Sequence, residues 1–284
     1  MNGDRLRSGA IAVWSGLALI YLFIPIAIVM LFSFNDNRGR FNFTWQGFTL
    51  SHWLDPFDNP DLALALKNSL LIAAFSTVIA TVLGTLMAVA LVRHRFRGRG
   101  TADMFTFLPL ATPEVVLGAA LLALFLTAGF NTGFATVVIA HVMFTISYVV
   151  VTVKARLEGM NPHIEEAAQD LGATEWTAFR KVTLPMIAPG VGAAALLAAA
   201  ISVDDYVITS FNAGQTQTFP LFIFGATRQG VPPEVNVLGS ALLIAVLVLM
   251  ALNVLLQRHL ARRDGRAAVA ADPAAAEPRA AVSA

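Results

Sequence analysis

The sequence predicts an all-α integral membrane protein with six transmembrane helices. Of its 284 residues, 57% are hydrophobic and only 13% are charged, whereas soluble domains carry about 25% charged residues. The mean hydropathy is strongly positive, at +0.69. The apolar residues form blocks about as long as the ~20 residues that a helix needs to cross a bilayer. Because backbone in lipid must satisfy its own hydrogen bonds, these blocks predict helices in a single bundle.

Six segments have the length and composition of membrane spans. They cover residues 11–34, 68–92, 103–126, 133–153, 188–210 and 236–257. Arg5 and Arg7 precede the first span, as they would in a secretory signal peptide. Its apolar run ends in LFSFND without a small-residue cleavage pattern, so we expect a retained helix. The sequence has no cysteine, which excludes disulfides and thiolate metal sites.

The positive charges predict which side of the membrane each loop faces. With the amino terminus inside, all but four of the 19 lysines and arginines lie in inside segments. The exceptions are Arg38, Arg40, Lys67 and Arg228. Because positively charged loops stay on the cytoplasmic side, both termini are expected to be cytoplasmic. The polar segment 161–189, between the fourth and fifth spans, is then cytoplasmic as well.

The remaining segments complete the expected domain organisation. Residues 1–10 are the predicted cytoplasmic amino terminus, and residues 11–263 the transmembrane domain. Residues 264–284 are almost all Ala, Pro, Arg, Asp and Glu, a composition that predicts a disordered cytoplasmic tail. Aromatic residues between Asn35 and Lys67 suit an ordered loop at the outer membrane interface.

The segment 161–189 carries signals for two short helices. Asn161 is a good N-cap, Pro162 suits the first helical position, and two glutamates follow in the first turn, where the helix dipole favours negative charge. Gly172 can adopt the left-handed conformation that ends a helix.

A second short helix is predicted to follow this glycine. Thr174 can cap its start. Pro185 and Pro189 are expected to keep this helix from running continuously into the fifth span.

The residue order of this segment resembles the EAA loop of ABC importer permeases. The matching residues are Glu166, Ala167, Ala168, Gly172, Leu184 and Pro185. Val182 stands where isoleucine is usual. The resemblance implies a cytoplasmic coupling helix that docks into an ATP-hydrolysing partner. Its two alanines would allow close approach, and Glu166 would pair with a basic group of that partner.

The resemblance extends over nearly the whole chain. The segments ATPEVVLG at 111–118, LEGMNPHIEEAAQDLGA at 157–173, SVDDYVITSF at 202–211 and GVPPEVNVLG at 230–239 are similar to the spermidine/putrescine permeases, in particular the second of their two membrane subunits. This likeness implies a MetI-like permease core and polyamine import. It also implies two ATPase subunits, a second permease subunit that makes a heterodimer, and an extracytoplasmic polyamine-binding protein.

ATP hydrolysis is expected in a partner subunit. None of the three lysines, Lys67, Lys154 and Lys181, lies in a G-K-[ST] phosphate-binding loop. We therefore expect this chain not to be an enzyme and to hold no cofactor, with ATP and magnesium used by the partner ATPase.

Acidic residues inside the spans are candidates for the substrate pathway, because ionisable groups are costly in a bilayer. Glu114 lies about 11 residues into the third span, ~16 Å along a straight helix, and hence near the midplane. Pro109 and Pro113 should break the helix there and open local backbone to a cavity.

Asp204, Asp205 and Tyr206 form a second candidate group, in the outer half of the fifth span. Carboxylates attract a cation, and aromatic rings stack on its methylenes or ammonium groups. Two interpretations stay open: the acids line the path, or they cap broken helices or pair with the companion permease. His141, in the fourth span, is expected to hydrogen-bond to a neighbouring helix.

Two other functions are compatible with the residues. One is an ABC importer permease for another solute, such as an iron complex, sulfate or a sugar. The other is a proton-coupled secondary transporter in which Glu114 and Asp204 relay protons. The sequence does not choose between putrescine, spermidine and longer polyamines.

Overall fold

Helices form almost all of the regular structure in the described part of the chain, where one isolated bridge joins Asn35 to Phe48. The computed structural model describes the backbone of residues 2–37, 39, 41–161 and 163–271, with side chains between residues 11 and 255 except 253. The helices are α1 (Asn2–Phe32), α2 (Ser51–Leu54), α3 (Pro60–Arg93), α4 (Arg99–Ala111), α5 (Glu114–Thr127), α6 (Phe134–Glu158), α7 (His163–Asp170), α8 (Glu175–Ala178), α9 (Leu184–Asp204), α10 (Val207–Asn212), α11 (Phe219–Gln229) and α12 (Pro233–Ala271). A π-helical turn, Phe179–Thr183, joins α8 to α9. The predicted all-α class is confirmed.

Five helical segments within the described residues are long and apolar enough to cross a membrane. They are Ile11–Phe32, Pro60–Arg93, Phe134–Glu158, Glu175–Asp204 and Pro233–Leu252. α4 and α5 meet the same criterion together but are bent by 109° at a short break, so the number is six when this pair counts as one span. All six predicted spans therefore have a counterpart, and the third is broken.

The break in the third span lies at Pro113, as predicted, whereas Pro109, which was also expected to break the helix, lies inside α4. Pro113 has an extended backbone, with φ −56° and ψ 132°, and its ring leaves no N–H to continue the helical ladder. Glu114 is the first residue of α5 and is exposed. The midplane position inferred for Glu114 assumed a straight helix. That inference does not apply, because the two halves of the span are bent by 109°.

The main core lies where α3, α6 and α9 pack together. The buried apolar side chains at its centre are Ala80, Ala88, Leu91, Val149, Val150, Val153, Leu157, Ile187, Ala194 and Ala198. A Cβ atom added at Gly84 would lie 2.8 Å from the Cβ of Val149. Small residues let helix backbones approach closely where lipid supplies no hydrophobic driving force. These three helices form the frame that carries the candidate site.

A second close contact joins α5 to α10. A Cβ atom at Gly118 would lie 2.8 Å from Cδ2 of Phe211 and 3.3 Å from the Cα of Ile208. The Asn212 side chain donates a hydrogen bond from Nδ2 to the carbonyl oxygen of Gly118, at 3.3 Å. The second half of the broken third span therefore packs directly on the helix that follows the acidic pair of the fifth span.

The loop between α1 and α3 is ordered by aromatic and amide contacts. The ring of Phe34 stacks on Phe48 and Trp53, with centroids 5.7 and 5.5 Å away. Asn35 is fully buried, and its Nδ2 donates to Asn42 Oδ1 at 2.6 Å and to the carbonyl of Thr44 at 2.8 Å. These contacts agree with the ordered aromatic loop predicted for this segment.

The chain divides into two compact units, Met1–Leu242 and Leu243–Ala284. The backbone of α12 is helical as far as Ala271, so the tail predicted for residues 264–284 starts within a helix. Residues 272–284 lie outside the described part of the chain.

Candidate functional site

The first helix of the polar segment ends at the glycine that the sequence singles out. Gly172 has a φ of +90°, a conformation that side chains with a Cβ rarely adopt. The N–H of Gly172 donates to the carbonyl of Gln169 at 2.8 Å, and the N–H of Ala173 to that of Ala168 at 3.1 Å. These two bonds form a Schellman motif, which satisfies carbonyls left open at the helix end. The predicted glycine turn is confirmed.

The starts of the two short helices also follow the predicted caps. Oδ1 of Asn161 accepts a hydrogen bond from the backbone N–H of His163 at 3.1 Å. The hydroxyl of Thr174 accepts one from the N–H of Thr177 at 3.3 Å and so caps α8. Pro162, expected at the first helical position, lies outside the described residues. Hydrogen bonds between residues close in sequence therefore fix the ends of the two short helices.

The expectation that Pro185 and Pro189 separate the second short helix from the fifth span is wrong. The chain is helical throughout Glu175–Asp204. In the π turn, the N–H of Leu184 donates to the carbonyl of Phe179, five residues earlier. A π turn is wider than an α turn, and it relieves the clash between a proline ring and the preceding turn. The short helix thus passes directly into α9.

The residues of the EAA-like pattern lie mainly on the surface of this segment. Glu166, Ala167, Gly172, Leu184 and Pro185 are exposed, and Ala168 is half-buried. The carboxylate of Glu166 lies 2.7 Å from Nδ1 of His163 on the same helix. Beside them, Leu171 and Trp176 are 90% and 66% exposed. Large apolar side chains on a polar surface element are typical of a protein contact surface.

Glu165, next to Glu166 in sequence, has different partners. Its Oε1 accepts a hydrogen bond from the hydroxyl of Thr183 at 2.6 Å and lies 3.0 Å from Nη2 of Arg93. The sequence pattern singles out Glu166 as the glutamate that faces the partner, and it gives Glu165 only a place in the first turn of α7. No local signal predicts the contacts of Glu165, because both residues that it contacts lie on other elements.

Two of the predicted pathway acids, Glu114 and Asp204, have exposed side chains. Within the described residues neither makes an ion pair. Tyr206 is half-buried, and its ring lies 4.6 Å from that of Phe224. The guanidinium carbon of Arg228 lies 5.4 Å from the centroid of the same Phe224 ring. This aromatic pair therefore already has a cation on one of its faces.

The third acid, Asp205, is turned into the bundle, and its side chain is only 5% exposed. Oδ2 accepts hydrogen bonds from the backbone N–H of Thr209 at 2.8 Å and from its hydroxyl at 2.7 Å. Nε2 of His141 lies 3.2 Å from the same oxygen. The carboxylate accepts hydrogen bonds from backbone N–H groups at the start of α10, as the side chain of an N-cap residue does. The structure therefore separates the side chains of Asp204 and Asp205 into two environments.

His141 is the centre of a buried polar network. Its Nδ1 lies 2.7 Å from the hydroxyl of Ser202, and its Nε2 lies 2.9 Å from the hydroxyl of Thr209. The Ser202 hydroxyl also contacts that of Ser76 at 3.0 Å. The hydrogen bond predicted between His141 and a neighbouring helix is confirmed. The network joins α3, α6, α9 and α10 and holds the chain where α9 ends.

The sequence contained a signal for this network that the prediction did not use. His141 and Asp205 are both ionisable residues within apolar spans, and such residues usually pair with each other. Their separation in sequence conceals the pairing.

The exposed acidic and the aromatic side chains described above are of the kind that contacts an organic cation. Among the residues that the structure describes, no three His, Asp or Glu side chains are grouped to hold a metal ion. The exposed carboxylates of Glu114 and Asp204 and the ring pair of Tyr206 and Phe224 are groups chemically able to contact an organic ammonium group.

Comparisons with known proteins define a family for this chain. Residues 80–264 match the model of the family described as "Binding-protein-dependent transport system inner membrane component". The spermidine/putrescine transport system permease protein PotC of Escherichia coli (strain K12) is 41% identical over 260 residues, which cover 91% of this chain and 96% of that protein. The putrescine transport system permease protein PotI of the same strain is 38% identical over 239 residues, covering 81% and 84%.

Solved structures share the fold at lower identity. A chain from the crystal structure of a bacterial alginate ABC transporter, in complex with an alginate pentasaccharide-bound periplasmic protein, is similar with a TM-score of 0.65 and 16% identity. The similarity covers 92% of this chain and 96% of that one. A chain of the inward-facing MetNI methionine ABC transporter has a TM-score of 0.60 and 17% identity, covering 71% and 98%.

Proposed function

This chain belongs to the family of binding-protein-dependent transport system inner membrane components, and we propose that it is a membrane-spanning permease subunit of an ABC importer for polyamines. The cargo is putrescine or spermidine. The observation that carries this proposal is the 41% identity to a spermidine/putrescine permease along 91% of the chain. The relative is named for that cargo, and its similarity covers every candidate site residue.

The exposed acids give the cargo assignment an independent chemical basis. Polyamines carry ammonium groups separated by methylenes, so a path for them needs negative charges spaced along it and apolar faces between. Glu114 and Asp204 supply the charges, and Tyr206 with Phe224 supplies ring faces at 4.6 Å from each other. Asp205 serves the same path by holding the turn that presents Asp204 and Tyr206.

The segment 161–189 is the proposed contact with the ATP-hydrolysing partners. Residues Glu166, Ala167, Ala168, Gly172, Leu184 and Pro185 form or shape its outer surface. Closure of two ATPase subunits would move α7 and rock the attached spans between outward and inward openings. A second permease subunit completes the path, and an extracytoplasmic polyamine-binding protein delivers the cargo.

The proposed location is the inner membrane of a bacterium, with both termini in the cytoplasm. The support is the distribution of lysine and arginine, which concentrates in the segments on the side of 161–189. This orientation also puts that segment in the compartment where ATP is available.

Uptake by the complete transporter tests the function. The chain is purified in complex with its ATPase, second permease and binding-protein partners, and the complex is reconstituted in proteoliposomes loaded with ATP. We expect uptake of radiolabelled putrescine or spermidine that stops without ATP and continues when an ionophore collapses the proton gradient. Uptake of sulfate, maltose or an iron complex instead would contradict the cargo. Uptake that needs the proton gradient and no ATP would contradict the importer class.

A further inference from the structure

We propose that Glu165 is the residue through which movement of α7 is transmitted to the membrane spans, through Arg93 to α3 and through Thr183 to α9. The inference rests on the proposed function, since it requires α7 to be moved by an ATPase. It assigns the two adjacent glutamates to different tasks. Glu166 faces the partner, and Glu165 faces the chain's own helices.

Exposure separates the two glutamates. The side chain of Glu165 is 20% exposed and that of Arg93 17%, whereas the side chain of Glu166 is 66% exposed. Thr183 is almost fully buried, at 2%. Charges that are partly removed from water interact more strongly than charges on the surface. The contact made by Glu165 is therefore the one suited to carry force.

Glu165 supplies the polar link from α7 to the spans among the residues that the structure describes. No residue of α7 is buried, so apolar packing holds this helix weakly. Among the described residues of α7, the side-chain hydrogen bonds and ion pairs to other helical elements are those of Glu165 with Thr183 and Arg93. Nη2 of Arg93 forms an ion pair with Oε1 of Glu165 but does not donate it a well-directed hydrogen bond. Nε of Arg93 also has no hydrogen-bond acceptor among the residues that the structure describes. An ion pair of this kind tolerates small rotations of the helix.

The two partners of Glu165 lie on the rigid frame. Arg93 is the last residue of α3, two residues after Leu91, which is buried in the core with Leu157 and Ile187. Thr183 is the last residue of the π turn and passes directly into α9. A displacement of Glu165 is thereby applied to the ends of two spans that pack on each other.

The coupling ratio in the reconstituted transporter tests this contact. Glu165→Gln keeps an acceptor for Thr183 but removes the charge that faces Arg93, and Arg93→Gln removes the opposite charge. We expect each variant to hydrolyse ATP while the putrescine imported per ATP falls about fivefold or more, the lower range for energetic coupling between sites. Asp170→Asn is the matched control, because it removes a charge from an exposed position of the same helix and should keep the wild-type ratio.

Two further variants separate transmission from simple damage to the fold. The double variant Arg93→Glu, Glu165→Arg restores opposite charges in reversed order and should recover part of the lost ratio. Thr183→Val should lower the ratio and Thr183→Ser should not. If both single variants assemble and keep the wild-type ratio, or if the reversed pair recovers nothing, the proposal is overturned.

The failure of this inference is distinguishable from failure of the proposed function. Wild-type uptake reports on the function, and comparison between variants reports on the contact. If the wild-type complex imports no putrescine, hydrogen exchange still tests the contact. The last turn of α3, residues 90–93, should exchange faster in Glu165→Gln than in Asp170→Asn. Equal exchange in the two variants counts against the link.

Discussion

The segment 161–189 and the turn after Asp204 both interrupt the long helices, yet they are held in different ways. The caps of the first join residues no more than five positions apart, such as Ala173 and Ala168. In the second, His141 binds partners 61 and 68 positions away, and Ser76 meets Ser202 across 126 positions. The first is a surface element, and under the proposed function its local caps would keep its shape while it moves. The second is a buried hydrogen-bond network that links α3, α6, α9 and α10.

Loss of the buried network around His141 should have the largest effect on stability. His141→Leu leaves two hydroxyls and the Asp205 carboxylate without their shared partner, at a cost of about 3 kcal/mol. We expect a clearly lower unfolding temperature of the purified protein in detergent, followed by intrinsic fluorescence. His94→Gln, at an exposed position, is the matched control. Equal unfolding temperatures for the two variants would show that the network contributes little.

The surface element should fail in the opposite way, with folding preserved and coupling lost. Gly172→Val places a β-branched residue at a φ of +90°, a strain of roughly 1–2 kcal/mol that tilts the two short helices. Membrane insertion should stay near wild type and the unfolding temperature should fall less than in His141→Leu, while ATP-driven uptake falls about tenfold. Gly100→Ala is the control, since a Cβ there meets nothing within 4 Å. Normal uptake by Gly172→Val would contradict a coupling role.

Asp204 and Asp205 should respond differently to the same substitution. Asp205→Asn weakens the hydrogen bonds that the carboxylate accepts from the N–H of Ile208 and from the N–H and hydroxyl of Thr209, together with the contact with His141, so we expect a loss of about 1.5 kcal/mol in stability. Asp204→Asn changes an exposed side chain and should leave stability within ~0.5 kcal/mol while it lowers polyamine uptake. Thermal unfolding and uptake are measured for both. If the two variants behave alike in both measurements, their environments are not distinct in function.

The smallest effect is expected at the cap of α8. Thr174→Ala removes the acceptor for the N–H of Thr177, and a lost N-cap costs about 1 kcal/mol. The change should appear as faster hydrogen exchange at Thr177 and should hardly move the unfolding temperature. Thr174→Ser keeps the hydroxyl and should exchange like wild type. Unchanged exchange in Thr174→Ala would indicate that the π turn alone holds α8.

Local chemistry explains which parts of the fold were predictable. The spans follow from runs of apolar residues, and the broken third span follows from Pro113. The ends at Asn161, Gly172 and Thr174 follow from residues that satisfy helix ends within a few positions. The EAA-like segment was found by resemblance, since its pattern is contained in one stretch of chain, and its role as a contact for an ATPase stays a prediction.

What could not be predicted depends on which helices become neighbours. The separate environments of Glu165 and Glu166 depend on Arg93 and Thr183, which no periodicity brings to the same place. The buried position of Asp205 depends on His141 in another span. The continuous helix through Pro185 was missed because a π turn, an uncommon structure, was not weighed against a proline break.

The π turn at Phe179–Thr183 has a consequence for the angle at which the exposed surface of the segment 161–189 is presented. Each residue turns an α-helix by about 100°, and a π turn contains roughly one residue more than an α turn. That extra residue rotates α8, and with it Leu171 and Trp176, around the axis of α9. Deleting one residue between positions 179 and 183 would turn this surface by about a quarter of a circle. The number of residues between Gly172 and Pro185 therefore determines the direction in which Leu171 and Trp176 face, as well as the length of the segment.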